Sequence, residues 1–196
     1  HLLVFRNDEI VINGNDGDTV YPQILLTNSH DGKNSFQFQA GLYRMICSNG
    51  LVIADEQFES VKMRHMGYSF EDLQDMIKEM VGKLPLTVES MNKMKAIEMA
   101  EEQILAFAKD ALNARFTKKE MNRIEVDLKE LTTPTRNEDK GSDLWSVFNV
   151  VQEKLIEGDF QYRAGGKVRQ ARVIKNFKQD MKINKKLFNV ALEYAA

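Results

Sequence analysis

The sequence predicts an α+β fold: a mainly antiparallel sheet with long helices packed on it, closed by a C-terminal helix–hairpin–helix. Three observations carry this. Residues 1–68 alternate short apolar runs with turns rich in Asn, Asp and Gly, which tolerate positive φ or bond their own backbone. From Ser69 onward apolar residues recur at helical spacing. Near the C-terminus two short runs flank Ala164-Gly165-Gly166-Lys167, the signature of a tight hairpin turn.

In chain order, Leu2–Phe5 and Glu9–Ile12 are expected as strands, followed by the turn-rich stretch Asn13–Asp18. That acidic loop fails as an EF-hand, because the twelfth residue from Asn13 is Ile24 and not a glutamate. The stretch Leu25–Leu51 forms the centre of the first half. Its strands flank the turn His30-Asp31-Gly32-Lys33, and a second turn follows at Ser48-Asn49-Gly50. Phe36, Phe38, Ala40, Leu42 and Ile46 share one face of a period-two strand, and Arg44 falls on the same face. A buried arginine needs a partner, and Asp31 is the nearest carboxylate in sequence. Val61–Met66 alternates again before Gly67.

Ser69 with Asp72 forms a capping box for a helix carrying Leu73, Met76, Ile77, Met80, Val81 and Leu84, expected to stop at Pro85. A second helix is expected from Val88 to Phe116, with Met91, Met94, Ile97, Ile104, Leu105, Ala108 and Leu112 buried. At this spacing the methionines belong to a core more readily than to a partner groove. Thr117 and Glu120 form another capping box, ahead of Met121, Ile124, Leu128 and Leu131. Thr132–Asp143 is a polar linker with Pro134 and Gly141, expected to be flexible. Ser142 is expected to cap a helix with the stripe Leu144, Phe148, Val151 and Leu155, bordered by Trp145, Asn149, Gln152 and Ile156 and closed by Gly158. After the hairpin, Asn184 is expected to cap a terminal helix through Ala195. Residues 1–131 then form a strand-rich core with helices, and 142–196 the C-terminal elements of the same domain.

Composition narrows the functions. With 43% hydrophobic and 29% charged residues, a chain of this kind buries an ordinary globular core. No apolar run reaches the length of a membrane span, so no membrane partner is expected. A single cysteine excludes an intrachain disulfide and fits a reducing, cytoplasmic setting. The chain opens at His1 without methionine and is expected to start inside a longer protein. Charge is uneven. Residues 1–59 carry Arg6, Lys33 and Arg44 against eight acids, whereas residues 160–186 carry nine lysines and arginines opposed only by Asp180. That asymmetry points to a polyanionic partner.

Two dense motifs, Asn28-Ser29-His30-Asp31-Gly32 and Arg44-Met45-Ile46-Cys47-Ser48-Asn49-Gly50-Leu51, followed by Arg64-His65, resemble the phage- and plasmid-type family called domain of unknown function 932. Trp145, Asn149, Glu153, Gly158 and the arginine-rich hairpin extend the likeness, with Phe188 where tryptophan is more usual. The family has no assigned activity. The resemblance implies a setting on phages, prophages and plasmids, and with it DNA metabolism or host defence.

Several chemistries compete for these residues. Cys47, His30 or His65, and Asp31 could act as nucleophile, base and orienter, although a cysteine ending an apolar strand packs as a small hydrophobe. A zinc site from His30, Cys47 and His65 lacks a fourth ligand and any paired-ligand spacing, so no metal is expected. No phosphate-binding glycine motif occurs, and no cofactor is expected. Nucleic acid, single-stranded in the leading reading, is the expected partner. Tyr162, Arg163, Lys167, Arg169, Arg172, Lys175 and Lys178 are its expected contacts, with Phe177 interleaved, because cations track phosphates while aromatics stack on bases. Strands followed by a long helix also resemble, in coarse layout, the RecT/Erf-type single-strand annealing proteins of phages. The competing readings are a charged surface facing the acidic first half, a cysteine-dependent enzyme using Cys47, and an interaction protein without nucleic acid; a homo-oligomer is compatible with each.

Overall fold

The computed structural model of the protein describes residues 2–6, 12–13, 19–27, 36–44, 51–52, 61–63 and 69–196. It is α+β, with antiparallel pairing throughout the described strands. Two compact units divide at Ser90 and Met91.

The first unit contains a six-stranded sheet of β1 (Leu2–Arg6), β2 (Ile12–Asn13), β3 (Thr19–Thr27), β4 (Phe36–Arg44), β5 (Leu51–Val52) and β6 (Val61–Met63). β3 is its spine. It pairs with β1 and β2 along one edge and with β4 along the other. Val20, Ile24 and Leu26 on one face and Gln23 and Leu25 on the other are all buried, as suits an interior strand. A proline there would break a ladder bond. Pro22 is paired with Leu42 of β4, while on the other edge it sits between Val20, the last residue paired with β2, and Gln23, the first paired with β1.

Helix α1 (Phe70–Lys95) starts at the expected capping box, where Ser69 N donates to Asp72 Oδ2 at 2.7 Å and Asp72 N to Ser69 Oγ at 3.2 Å. It does not stop at Pro85. Proline removes one N–H and crowds the preceding turn. Pro85 is exposed, so water can serve the carbonyl at Val81 that loses its partner. The helix ends instead where Ile97–Met99 pairs with Ser142–Leu144: Met99 N donates to Ser142 O at 3.0 Å and Leu144 N to Ile97 O at 2.9 Å. This bridge divides the long helix expected over Val88–Phe116. Its second part, α2 (Glu101–Arg115), buries Phe107, Ala108, Ala111, Leu112 and Ala114.

The Thr117–Glu120 box caps a single turn, α3 (Lys118–Met121), with Thr117 N donating to Glu120 Oε2 at 2.7 Å. Ile124, expected on a helix, opens strand β7 (Ile124–Val126) because it pairs with the distant β8 (Gln161–Ala164). Helix α4 (Leu128–Thr132) follows. The segment expected to be a flexible linker is tied down. Arg136 reaches Glu153 at 2.9 Å, residues Asn137–Asp139 form a 3-10 turn, and Asp139 is buried.

Helix α5 (Leu144–Glu157) is the centre of the second unit, against which α2, α4 and α6 (Phe177–Tyr194) pack. Leu144, Phe148, Val151 and Leu155 are wholly buried, and the bordering Trp145, Asn149, Gln152 and Ile156 are buried as well. Its cap is Asp143, whose Oδ1 accepts from Ser146 N at 3.0 Å, while Ser142 donates to Glu98 instead. α6 likewise begins before the expected Asn184: Asn176 is the cap, accepting from Gln179 N at 3.1 Å. Asn184 lies inside the helix, buried, where Gln152 Nε2 donates to its Oδ1 at 2.8 Å.

Candidate nucleic-acid interface

The hairpin of β8 and β9 (Lys167–Gln170) turns at Gly165 and Gly166, whose φ values of 57° and 77° are those of a two-residue turn that only glycine adopts freely. Its register sorts the predicted contacts onto two faces. Tyr162 lies across from Arg169, and Ala164 from Lys167. Arg163 lies on the other face, between Val168 of β9 and Glu125 of β7. Tyr162 is half-buried, with its ring 5.6 Å from that of Phe116 at an angle of 61°. Its aromatic surface therefore serves packing first. Lys167, Arg169 and Arg163 are exposed.

Beyond β9 the chain runs irregularly from Ala171 to Asn176, pinned by Ala171 N to Phe160 O at 3.0 Å and Ile174 N to Ile156 O at 2.8 Å. A third tether was not legible beforehand. The Arg115 guanidinium donates to both Leu155 O and Arg172 O, with its Cζ 5.5 Å from the Phe160 ring centre and 5.8 Å from that of Phe116. Burial pulls its pKa down, against an opposing pull from Tyr162. Arg172 and Lys175 project from this tethered segment into solvent.

α6 continues the cationic surface. Ile183, Asn184, Leu187, Phe188 and Ala191 face the core. Lys178, Lys182, Lys185 and Lys186, at spacings of four, seven and eight, occupy the opposite, exposed side. Of these the sequence reading placed only Lys178 among the contacts; the helical spacing of the other three was the available signal. Asp180, the sole acid of residues 160–186, is turned away from that row. Asn184 Nδ2 donates to its Oδ1 at 2.8 Å, continuing the chain from Gln152. Burial pushes the Asp180 carboxyl up to about 6; the Asn184 bond opposes this and Glu157 adds to it.

That shift fixes the sign of a pH dependence. The folded protein holds its proton on Asp180 to higher pH than the unfolded chain does, so the contribution of Asp180 to stability falls as pH rises from about 4 to about 6 and is level above. Asp180→Asn keeps an acceptor for Asn184 and removes the ionisation. The variant is expected to melt higher than the parent at pH 7, with the difference closing below pH about 4. Melting curves across that range check it; an equal gap at all pH values would refute it.

The weak catalytic candidates Cys47, His30, His65 and Asp31, and the motif residues Asn28, Gly32, Asn49, Gly50 and Arg64, lie outside the described residues. So does the expected Arg44–Asp31 pair. The backbone of Arg44 ends β4 opposite Val20. Among the described residues no group of three or more His, Cys, Asp or Glu could hold a metal ion, and no helix is long and apolar enough to cross a membrane.

A family model described as domain of unknown function (DUF932) matches residues 1–188. Two curated proteins of Escherichia coli (strain K12), "UPF0380 protein YafZ" and "UPF0380 protein YfjQ", are each 32% identical over 171 residues, covering 87% of this chain and 61% of theirs. The chain thus spans under two thirds of the length of these relatives. No solved structure matches. The match over nearly the whole chain places it in a family: the protein belongs to the domain of unknown function 932 family.

Proposed function

We propose that the protein binds nucleic acid, single strands in preference to duplex, without catalysing a reaction on it, in the DNA metabolism of phage- or plasmid-type elements. The observation that carries this reading is the row of exposed cations Lys178, Lys182, Lys185 and Lys186 along one side of α6, with the exposed Arg172 and Lys175 just ahead of it in the chain and Asp180 turned inward. Lys182, Lys185 and Lys186, at spacings of three and four and in adjacent places on one side of α6, repel one another by amounts a solvated surface tolerates but does not favour; a phosphate backbone relieves that repulsion. Phe177, 36% exposed between Lys175 and Lys178, supplies a stacking ring beside the cations, which favours unpaired bases. In this role it takes the place first given to Tyr162, whose ring packs on Phe116.

A labelled oligothymidylate titrated by fluorescence polarisation at several salt concentrations tests the reading. Each neutralised phosphate of a single strand contributes a slope of roughly −0.7 on a log–log plot, so four contacts give about −3. Lys182→Ala with Lys185→Ala is expected to halve the slope and leave folding intact, since exposed cations contribute little to stability. Phe177→Ala is expected to weaken binding at nearly constant slope, because stacking releases few ions. Absence of binding at low salt, or a slope indifferent to the double variant, would refute the proposal.

A further inference from the structure

We propose that β9 is a docking edge, at which an extended acidic segment of a partner protein adds as a fourth strand to the sheet β7–β8–β9. This rests on β9 and not on the α6 ridge, so it stands apart from the nucleic-acid reading.

β9 is an outer strand of its sheet, and all four of its residues are exposed, Val168 to 59%. The register tells which backbone groups face outward. In an antiparallel hairpin closed by a two-residue turn, the residues flanking the turn form a hydrogen-bonded pair, and bonded and non-bonded pairs then alternate. Ala164 with Lys167 is bonded, Arg163 with Val168 is not, Tyr162 with Arg169 is bonded, and Gln161 with Gln170 is not. The Ala171 N–H bond to Phe160 O, at 3.0 Å, continues this alternation in step. The N–H and C=O of Val168 and Gln170 therefore point away from β8, and no described strand pairs with them. The edge is also held in place. Gln170 Nε2 donates to Gly158 O at 2.6 Å, anchoring the strand to the end of α5.

Side chains decide the occupant. Lys167 and Arg169 stand on one face of β9 and Val168 between them on the other. A second copy pairing antiparallel through β9 would set cations directly opposite cations, which is unfavourable. Cations on an outer strand are a recognised defence against such self-pairing. A strand reading acid–apolar–acid instead places a carboxylate opposite Lys167 and Arg169 and an apolar side chain opposite Val168. Main-chain bonds then supply affinity and the cations supply selectivity, as in other strand-addition complexes.

The test uses a fluorescein-labelled peptide with the core Glu-Val-Glu-Val-Glu, and the same peptide with Lys for Glu, titrated against the whole chain by anisotropy. The acidic peptide is expected to bind saturably below about 1 mM and the basic one not to bind. Val168→Pro removes only the outward N–H and leaves the β8 pairing intact, and it should weaken acidic-peptide binding about tenfold or more. Lys167→Glu with Arg169→Glu should reverse the preference between the peptides, which keeps the idea falsifiable if the proline variant loses its hairpin. Oligothymidylate binding to the α6 ridge should be unchanged by Val168→Pro. No saturable binding of the acidic peptide, or equal binding of both peptides, would overturn the proposal. So would a homodimer that Val168→Pro dissolves, or joint loss of peptide and oligonucleotide binding in that variant.

Discussion

Gly158→Ala is expected to lower the melting temperature by at least about 8 °C, the largest change expected for alanine at any of the described glycines. Two costs coincide there. Gly158 closes α5 at φ 72° and ψ 26°, the left-handed conformation that costs an L-residue about 1–2 kcal/mol. A Cβ would also stand 2.6 Å from Arg172 C, 2.8 Å from Ala171 O and 2.9 Å from Ala171 C. These are backbone atoms and cannot rotate away, so the irregular segment leaving the hairpin must shift, at about 1–3 kcal/mol more. Together they amount to about 2–5 kcal/mol in a unit of roughly a hundred residues. Gly158→Asn separates the two. Asparagine accepts the left-handed conformation better but brings the same Cβ, so it should recover only part of the loss. Thermal unfolding by circular dichroism measures both, and full recovery in the asparagine variant would show that the contact with 171–172 is not limiting.

This site also shows which features of the chain were legible. Gly158 as a helix stop, Gly165-Gly166 as a turn, and the capping boxes at Ser69 and Thr117 depend on a few adjacent residues, and the structure has all of them. The α5 stripe was legible for the same reason, although its bordering residues proved equally buried. What failed depended on distant partners. The break after Lys95 exists because Ile97–Met99 meets Ser142–Leu144, and Ile124 is a strand residue because Ala164 lies across from it. Asn184 has the composition of a cap, but its amide spans Gln152 and Asp180, and a helix can bury such a residue once both ends of the amide are bonded.

The same division runs through the candidate interface. Counting cations located the basic stretch, but a count has no sides. It could not separate Arg163 from Lys167 and Arg169, nor turn Asp180 inward, nor see that Phe116 occupies the Tyr162 ring. Helical spacing did contain the row Lys178, Lys182, Lys185 and Lys186, once the helix was known to begin at Phe177. Starting it at Asn184 hid that row.

Arg115 left no mark in the sequence beyond a cation in the last turn of α2, yet its loss is expected to be the second large effect. Its guanidinium serves two backbone carbonyls from separate segments, Leu155 O at the end of α5 and Arg172 O beyond the hairpin, while lying against Phe160 and Phe116. Arg115→Ala leaves the part-buried Leu155 O without its donor and uncovers the rings, while water takes over at the exposed Arg172 O, a loss of about 2–4 kcal/mol when one orphaned carbonyl costs roughly 1–3 kcal/mol and the lost ring contacts about 1 more. Arg115→Lys should fall between, because an ammonium lacks the planar fork that reaches two divergent acceptors. The lysine variant also links this tether to the interface. Arg115 orients the start of the basic ridge without facing solvent as its lysines do, so Arg115→Lys should weaken oligothymidylate binding while leaving the salt slope unchanged. Lys182→Ala with Lys185→Ala should reduce affinity and slope together. A folded Arg115→Lys protein with parental affinity would limit Arg115 to stability, and a reduced slope would mean that it contacts phosphate itself.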